Sequence, residues 1–487
     1  MIRIFGQIES KLNQIIQAPL NHNITIFNEI IYPEWFGVCT YQVVDLVGPP
    51  LYNDNIVIQK AINSADIGGS LCLLGKFYRI NEVVNIDVEG LRITGLGKYY
   101  STDTPSNYLQ PTTLNNQGVF KISRPGIRIS DINFTGNIST NKGAGAIGFA
   151  LKYEILDLNG IVIKDIDTGV NNCMFVDFNM AIMTRGANLK VTNCTFTACY
   201  IGIMADKPLK TPITNHSNDD VNAQTRSHVI TRNRFHSIGS SSKDASLIGS
   251  ACIKIWNDTG ITSESNGNGE NYIVRGYNNE ITTNHADDCK TFFEGSLDRT
   301  KIDGNTILTS GGTAIKATTG NYGSISNNLI DGSHTWNGNK LFPETYNNST
   351  SFPSGHGIHI NNSNYLTINN NQISNKRFNG IYIEKSRNSS IQNNTIHNFN
   401  RHAFIKKSTL APEVQDGSTY CGIRIEKSPT KQKNNIQNIV SNNIISIHHQ
   451  KVEGKYGIYA GDGDDFEFIK DNFILPTRIT TAPILID

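Results

Sequence analysis

Two glutamates in repeated segments could form the acid pair of a glycoside hydrolase. Glu384 and Glu426 occupy the same place in two copies of the phrase Gly-Ile-x-Ile-Glu-Lys-Ser. If the chain coils with the period of this phrase, equivalent residues stack in columns on one surface. Two carboxylates held close together can cleave a glycosidic bond, one as the acid and the other as nucleophile or base. The sequence therefore predicts hydrolytic chemistry where these copies stack.

The position between the two isoleucines of the phrase would add three more reactive side chains to this surface. It carries His359 in an earlier copy, then Tyr382, then Arg424. These groups also suit β-elimination on a uronic acid, in which arginine neutralises the carboxylate and tyrosine or histidine removes the C5 proton. We prefer hydrolysis because the glutamates are the best acid pair in the sequence. Elimination is the alternative mechanism. A third interpretation is that these residues form a solvated ladder of surface charges without catalytic function.

The distance between the two glutamates depends on how the chain is wound between them. If 402–408 forms a full turn of its own, the carboxylates lie two turns apart, roughly 10 Å, which is near the spacing of an inverting enzyme. If 399–420 is a single insertion, they are neighbours at about 5 Å, as a retaining enzyme requires. Like charges at that distance would also help one carboxyl to keep its proton. The sequence permits both registers.

Other residues form second-choice sites. Glu294, Asp287 and Asp288 lie close together in sequence, near His285, and are the second-choice acids. Contacts with substrate are expected from three aromatic residues and one amide, namely Trp256, Trp336, Tyr346 and Asn361. Asp462, Asp464 and Asp465 could hold Ca²⁺, although a simple turn explains them as well. We predict neither a metal site nor a cofactor.

The repeats that would position these groups recur about every 22 residues. From Ser296 to Thr318 is 22 residues and from Ser363 to Ser386 is 23. A second phrase, Asn-x-Ile or a close variant, runs in step with the first. It begins at Asn305, Asn328, Asn371, Asn394, Asn443 and Asn472. Short strands with such a period and no helical pattern predict an all-β fold, a right-handed parallel β-helix, with a short N-terminal helical cap.

Composition excludes several classes of partner. The 487-residue chain has 43 Lys plus Arg against 42 Asp plus Glu, a net charge of +1, which gives no field to attract nucleic acid. Its 8 cysteines lack metal-ligand or redox spacing. We find neither a signal-peptide core nor an apolar run long enough to span a bilayer. We therefore expect a protein made in the cytoplasm, with no nucleic-acid or membrane partner.

The N-terminal hundred residues resemble a known superfamily. Tyr32-Pro33-Glu34-Trp35-Phe36-Gly37 precedes a short helical segment and the strand Gly75-Lys76-Phe77-Tyr78-Arg79-Ile80. This order is similar to the head of the pectate-lyase-like β-helix superfamily, especially bacteriophage tailspikes. The resemblance implies a homotrimer on a virion tail that binds a bacterial surface polysaccharide, capsule or O-antigen, and depolymerises it outside the cell. A non-catalytic adhesin is the rival interpretation.

These patterns divide the chain into four predicted segments. Residues 1–31 are an N-terminal stem or attachment segment, and 32–98 are the head that caps the β-helix. Residues 99–475 form the β-helix body with its loop insertions, of which 332–356 and 399–420 flank the glutamates. Residues 476–487 are an extended C-terminal tail.

Overall fold

The computed structural model describes most of the repeats, and its contacts divide the chain into two units, Met1–Arg234 and Phe235–Asp487. The described residues are 2–4, 24–26, 30–37, 54–74, 77–80, 82–97, 108–111, 119–135, 145–148, 167–178, 180–184, 186–205, 226–239, 250–255, 264–265, 271–272, 276–309, 312–332, 355–376, 378–399, 420–426, 438–448, 454–461 and 468–486.

The described part of the first unit contains the α-helix α1 (Asp54–Ser64), a 3₁₀-helix (Pro33–Phe36) and short strands. In chain order the strands are β1 (Ile2–Ile4), β2 (Ile24–Ile26), β3 (Ile30–Ile31), β4 (Ser70–Cys72), β5 (Phe77–Ile80), β6 (Val84–Ile86), β7 (Arg92–Thr94), β8 (Tyr108–Pro111), β9 (Phe120–Ile122), β10 (Arg128–Ser130), β11 (Asn133–Thr135), β12 (Gly145–Gly148), β13 (Thr168–Asn171), β14 (Met174–Val176), β15 (Met180–Thr184), β16 (Leu189–Thr192), β17 (Thr195–Thr197), β18 (Ile201–Ala205) and β19 (Val229–Thr231). Strand β20 (Arg234–His236) lies where the two units meet in sequence.

Apart from a 3₁₀-helix at Pro476–Arg478, the regular elements in the described part of the second unit are strands. They are β21 (Ile253–Ile255), β22 (Glu264–Ser265), β23 (Asn271–Tyr272), β24 (Glu280–Thr282), β25 (His285–Cys289), β26 (Phe293–Ser296), β27 (Lys301–Asp303), β28 (Thr306–Thr309), β29 (Ile315–Asn321), β30 (Ser324–Ser326), β31 (Leu329–Asp331), β32 (Ile358–Asn361), β33 (Ser363–Asn364), β34 (Thr367–Asn369), β35 (Gln372–Ser374), β36 (Ile381–Glu384), β37 (Ser390–Gln392), β38 (Thr395–His397), β39 (Cys421–Glu426), β40 (Ile439–Ser441), β41 (Ile444–Ser446), β42 (Gly454–Ala460), β43 (Phe468–Lys470), β44 (Phe473–Ile474) and β45 (Ile479–Ile486).

Within each unit most strands form three parallel sheets, because successive strands of the chain go to successive sheets. In addition, β1 pairs with β2, and β22 pairs antiparallel with β23, in separate two-stranded sheets. In the second unit the first sheet has the order β24-β27-β30-β34-β37-β40-β43, and the second has the order β25-β28-β31-β35-β38-β41-β44. The third has the order β21-β26-β29-β32-β36-β39-β42-β45. The first unit repeats this arrangement, for example β4-β7-β10-β13-β16-β19 in its first sheet. The predicted fold, a right-handed parallel β-helix, is confirmed.

Apolar side chains that alternate along the strands fill the interior. In the third sheet of the second unit the inward positions form a column of fully buried isoleucines, Ile315, Ile358, Ile381, Ile423 and Ile458. In the first unit Phe134, Phe175 and Phe196 stack on successive turns, with ring centroids 5.0 Å apart. Since successive residues of a strand face opposite sides, the residue between two buried isoleucines must face outward.

A ladder of buried asparagines joins the turns of the second unit. In each step the backbone N–H and the Nδ2 of one asparagine donate to the Oδ1 of the next, at 2.9–3.1 Å. Its members are Asn284, Asn305, Asn328, Asn371, Asn394, Asn443 and Asn472. The residue before each of Asn328, Asn371 and Asn394 is an asparagine at positive φ, a conformation that asparagine tolerates. This ladder explains why the Asn-x-Ile phrase runs in step with the repeat.

The glycine of the repeated phrase is required by close approach between turns. A Cβ on Gly380 would lie 2.5 Å from Ile396 Cγ2 and 2.7 Å from the carbonyl oxygen of Gly422. We expect Gly380→Ala to lower the free energy of unfolding by about 1–3 kcal/mol, the usual effect of overpacking. Gly461→Ala is the control, because its Cβ would meet no atom closer than 3.4 Å. Equal denaturation midpoints for the two variants would contradict this explanation.

The helical cap lies where the sequence predicts it. Ile58, Ala61 and Ile62 of α1 are fully buried. Two carboxylates of the head segment accept hydrogen bonds from strand β5. Tyr78 Oη donates to Glu34 Oε1 at 2.8 Å, and the Arg79 N–H donates to Asp54 Oδ2 at 2.6 Å. Within the predicted stem, 1–31, residues 2–4, 24–26 and 30–31 form strands, and the rest lies outside the described residues. In the described part of the chain, no helix is long and apolar enough to cross a bilayer.

Candidate active site

The third sheet of the second unit brings the predicted site residues into two outward columns. His359 on β32 pairs with Tyr382 on β36, which pairs with Arg424 on β39. Two residues further along the same strands, Asn361 pairs with Glu384, and Glu384 pairs with Glu426. All six side chains are half-buried. The two-residue offset keeps both columns on one side of the sheet.

The two glutamates are on neighbouring strands. Glu384 and Glu426 are Cα partners in a parallel pair, so their backbones are separated by one strand spacing, about 4.8 Å. The alternative register, in which a full turn at 402–408 separates them, is therefore wrong. Residues 400–419 themselves lie outside the described residues.

Each glutamate has a nitrogen-bearing partner of a different kind. His359 Nε2 and Glu384 Oε1 share a hydrogen bond at 2.9 Å, and Arg424 Nε donates to Glu426 Oε1. Burial lowers the pKa of His359, an effect that the hydrogen bond and charge of Glu384 only partly offset. At neutral pH, Glu384 therefore faces a neutral imidazole, whereas Glu426 faces a permanent cation.

Tyr382 lies between these two pairs. Its ring stacks on the His359 ring, with centroids 4.9 Å apart and planes inclined by 26°. Burial raises the pKa of Tyr382, and the charges of Glu384 and Glu426 raise it further. Both carboxylates therefore raise the pKa of the same phenol, which stays protonated throughout the physiological pH range. Beyond it, the Arg424 guanidinium lies 4.9 Å from the centroid of the Tyr459 ring.

Sequence reasoning missed two buried residues next to this site. His356 is 5% exposed and stacks on Tyr382 at a centroid distance of 4.9 Å. Its Nδ1 accepts the backbone N–H of Asn379 at 3.2 Å. Lys376 is 1% exposed, and its Nζ donates to the carbonyl oxygen of Gly312 at 3.2 Å. Burial lowers the pKa of Lys376 to about 7. The position of His356 directly before the glycine of the phrase could have identified it.

His356 should make stability depend on pH. Burial lowers its pKa well below the ordinary value, so the folded protein keeps it neutral while the unfolded chain takes up a proton near pH 6.5. Below that pH the unfolded state binds more protons, so stability is lost as the pH falls, by at most about 1.4 kcal/mol per pH unit for this group.

We therefore expect His356→Gln to lose less stability than the natural protein between pH 6.5 and 4.5. Equilibrium denaturation at several pH values in that range measures the two slopes. The glutamine cannot titrate, so the difference between the slopes isolates this histidine from all other groups. Parallel slopes for the two proteins would contradict the assignment.

The second-choice acids are divided between two sheets. Glu294 lies on β26 of the third sheet, where it is paired with Lys254 and Lys316 on the neighbouring strands, at 3.6 and 3.2 Å. Asp287 and Asp288 lie on β25 of the second sheet. Asp287 Oδ2 lies 3.4 Å from His236 Nδ1, and Ser237 Oγ donates to Asp288 Oδ2 at 3.1 Å. Glu294 thus belongs to the column of His359 rather than to an acid pair with the aspartates.

The aromatic residues predicted to contact substrate cannot be placed. Trp256, Trp336 and Tyr346 all lie outside the described residues, as do Asp258 and the three aspartates at 462, 464 and 465. Within the described ranges, no group of three or more His, Cys, Asp and Glu side chains could hold a metal ion.

Comparisons with known proteins agree with the observed fold. A family model described as "Right handed beta helix region" matches residues 296–474. No curated protein matches the chain.

Similar solved structures come from several kinds of protein. A PL6 family polysaccharide lyase from Pseudopedobacter saltans is 14% identical, with a TM-score of 0.49, over 86% of this chain and 91% of that chain. Tailspike protein 3 of bacteriophage CBA120 is 11% identical, with a TM-score of 0.46, over 92% of this chain and 61% of that chain. A DFA-IIIase from Arthrobacter chlorophenolicus is 13% identical, with a TM-score of 0.48, over 88% of this chain and 91% of that chain. The family model confirms the predicted resemblance to right-handed β-helix proteins.

Proposed function

We propose that this protein is a polysaccharide depolymerase that hydrolyses glycosidic bonds with Glu384 and Glu426. The observation that carries the proposal is the pairing of these glutamates on adjacent strands of one outward surface. Their backbones are one strand spacing apart, about 4.8 Å, and carboxyl groups at a similar separation would suit a retaining mechanism, because the second carboxylate can attack the sugar directly. The strand spacing favours this mechanism over the inverting one.

The partners of the two glutamates suggest a division of roles. We assign Glu426 as the nucleophile, because the Arg424 guanidinium holds its carboxylate by a hydrogen bond and an ion pair. We assign Glu384 as the acid and base, because its hydrogen-bond partner is the neutral imidazole of His359 rather than a permanent cation. In the first step Glu384 protonates the leaving oxygen while Glu426 bonds to the anomeric carbon. In the second step Glu384 takes a proton from a water that releases the sugar from Glu426.

The remaining residues of the two columns would bind and orient the sugar. The Tyr382 phenol stays protonated and can donate to a sugar oxygen or to the nucleophile. The Asn361 amide, next in the column to Glu384, can both donate and accept hydrogen bonds with hydroxyl groups. His359 holds Glu384 in place by its 2.9 Å hydrogen bond.

β-Elimination is a second candidate, and the alignment of His359, Tyr382 and Arg424 in one column favours it. Arg424 would neutralise the carboxylate of a uronic acid. Because the phenol of Tyr382 has a raised pKa and the imidazole of His359 a lowered one, His359 would be the base and Tyr382 the proton donor. In this mechanism the two glutamates would serve only to orient the column.

The biological setting follows from the resemblance of the head segment to tailspikes. We infer that the substrate is a bacterial surface polysaccharide, capsule or O-antigen, and that the protein acts as a homotrimer on a virion tail. A trimer would also allow a neighbouring subunit to contribute to the site. Sedimentation of the purified protein tests the trimer directly.

Digestion of a panel of purified capsular and O-antigen polysaccharides tests the proposed function. New reducing ends, with no absorbance from an unsaturated uronate, would support hydrolysis. Absorbance from an unsaturated uronate at the new chain end would instead support elimination. Binding without either product would favour the adhesin and refute both enzymatic proposals.

A further inference from the structure

Two tyrosines form an exposed aromatic pair outside the columns of the active site. Tyr322 follows β29 and Tyr365 follows β33, on successive turns of the second unit. They are 62% and 50% exposed. Their rings are nearly parallel, with centroids 5.0 Å apart and planes inclined by 9°. Large aromatic side chains with this exposure usually belong to a binding surface.

The backbone at both tyrosines is in the left-handed region. Tyr322 has a φ of 61° and Tyr365 a φ of 56°, a conformation that is uncommon for a bulky side chain and costs free energy. The corresponding turn of the next repeat has Asn388, with a φ of 50°, and asparagine tolerates this conformation well. The fold therefore does not require tyrosine at these turns, and a different function must explain the two rings.

The geometry of the pair leaves ring surface open to solvent. Parallel aromatic rings in contact lie about 3.5–4.0 Å apart, so a centroid distance of 5.0 Å means that the rings are slipped past each other. Part of each ring face therefore remains uncovered by the other ring. Asn321 and Asn364 lie directly beside the tyrosines, and Asn364 Nδ2 donates to Asn321 Oδ1 at 3.3 Å. Each tyrosine is thus preceded in sequence by a half-buried asparagine.

We propose that Tyr322 and Tyr365 form a platform that binds a pyranose ring of the polysaccharide substrate. The negative face of an aromatic ring attracts the positive C–H bonds on the apolar face of a sugar. The flanking amides can donate to and accept from its hydroxyl groups. A net charge of +1 argues against a nucleic-acid base as the stacking partner.

The platform would extend the proposed active site, and the inference rests on the proposed function. Tyr322 follows the strand that carries Lys316, and Tyr365 follows β32, which carries His359. A polymer bound at the columns would have further sugar residues beyond those at the cleavage point. The platform would hold one of these residues, and so strengthen binding of long chains more than of single sugars.

The test uses the double variant Tyr322→Asn/Tyr365→Asn in the full-length protein. Binding is measured on an array of purified capsular and O-antigen polysaccharides, with fluorescently labelled protein. We expect at least tenfold weaker binding than the natural protein at the same spots, with no fall in the thermal unfolding midpoint. Tyr322→Phe/Tyr365→Phe is the matched control and should bind like the natural protein, because it retains both rings.

The outcomes separate this inference from the proposed function. Undiminished array binding by the asparagine variant would refute the platform even if the natural protein cleaves the same polysaccharide. Array binding lost by the asparagine variant would support the platform even if no cleavage product is found. A large fall in the unfolding midpoint, or a change in sedimentation of the asparagine variant, would overturn the proposal, since the rings would then pack within the protein or against a second copy.

Discussion

Glu426→Gln is expected to reduce the rate of glycosidic cleavage by a factor of about a thousand or more, as loss of a nucleophile does in other covalent mechanisms. Glutamine has the same shape as glutamate and can still accept from Arg424, so the fold should not change. Its amide oxygen is too weak a nucleophile to attack the anomeric carbon. The measurement is the rate at which new reducing ends appear from a polysaccharide that the natural protein cleaves.

Glu384→Gln should also reduce the rate, by about a hundred to ten thousand times, the usual range for loss of a general acid. Glu280→Gln is the control for both variants, because Glu280 is an exposed glutamate on β24 of the first sheet. It should cleave at the natural rate. Full activity in either site variant, with its circular dichroism unchanged, would remove that glutamate from the mechanism.

Asn394→Ala is expected to be among the most destabilising single changes in the second unit. Asn394 Oδ1 accepts from both the backbone N–H and the Nδ2 of Asn371, and its own Nδ2 donates to the carbonyl oxygen of Ile368. Alanine leaves the buried Asn371 N–H without this acceptor, at a cost of about 1–3 kcal/mol, and also removes the bonds of the Asn394 amide along the ladder. We expect a loss of about 2–5 kcal/mol in the free energy of unfolding, measured by equilibrium denaturation.

Asn369→Ala is the matched control for the ladder. The Asn369 side chain accepts from Asn393 Nδ2 at 3.0 Å in an exposed position, where water can replace the lost bond. Its effect should stay within about 0.5 kcal/mol, as is usual at a surface. Comparable losses in the two variants would mean that the buried ladder is not a special source of stability.

The sequence predicted the fold and the alignment of the site residues in columns, because both follow from the nearly constant spacing of the repeats along the chain. The Gly-Ile-x-Ile phrase specified which residues are buried and which face outward, and so placed His359, Tyr382 and Arg424 in one column. The Asn-x-Ile phrase predicted a second strand in each repeat. It did not predict that the asparagine side chains would form hydrogen bonds with one another. Both patterns are local and periodic, and neither needs knowledge of distant contacts.

The parts that could not be predicted involve interruptions of the repeat and contacts between turns. The sequence could not show whether Glu384 and Glu426 lie on neighbouring strands. The long segment before Cys421 could be either one insertion or an extra turn of the helix, and its length is compatible with both. Glu294 was grouped with Asp287 by closeness in sequence, but a turn places them on different sheets. Lys376 is a charged residue buried beside the site, and only three-dimensional packing identifies it as buried.

The anomeric configuration of the first product formed from a polysaccharide distinguishes double displacement by Glu384 and Glu426, one strand spacing apart, from the other mechanisms. Proton NMR during the first minutes of digestion, before the free sugar end equilibrates, reports the anomer that the enzyme releases. Double displacement predicts that the released sugar end has the same anomeric configuration as in the polymer. Release of the opposite anomer, or of an unsaturated sugar, would contradict it.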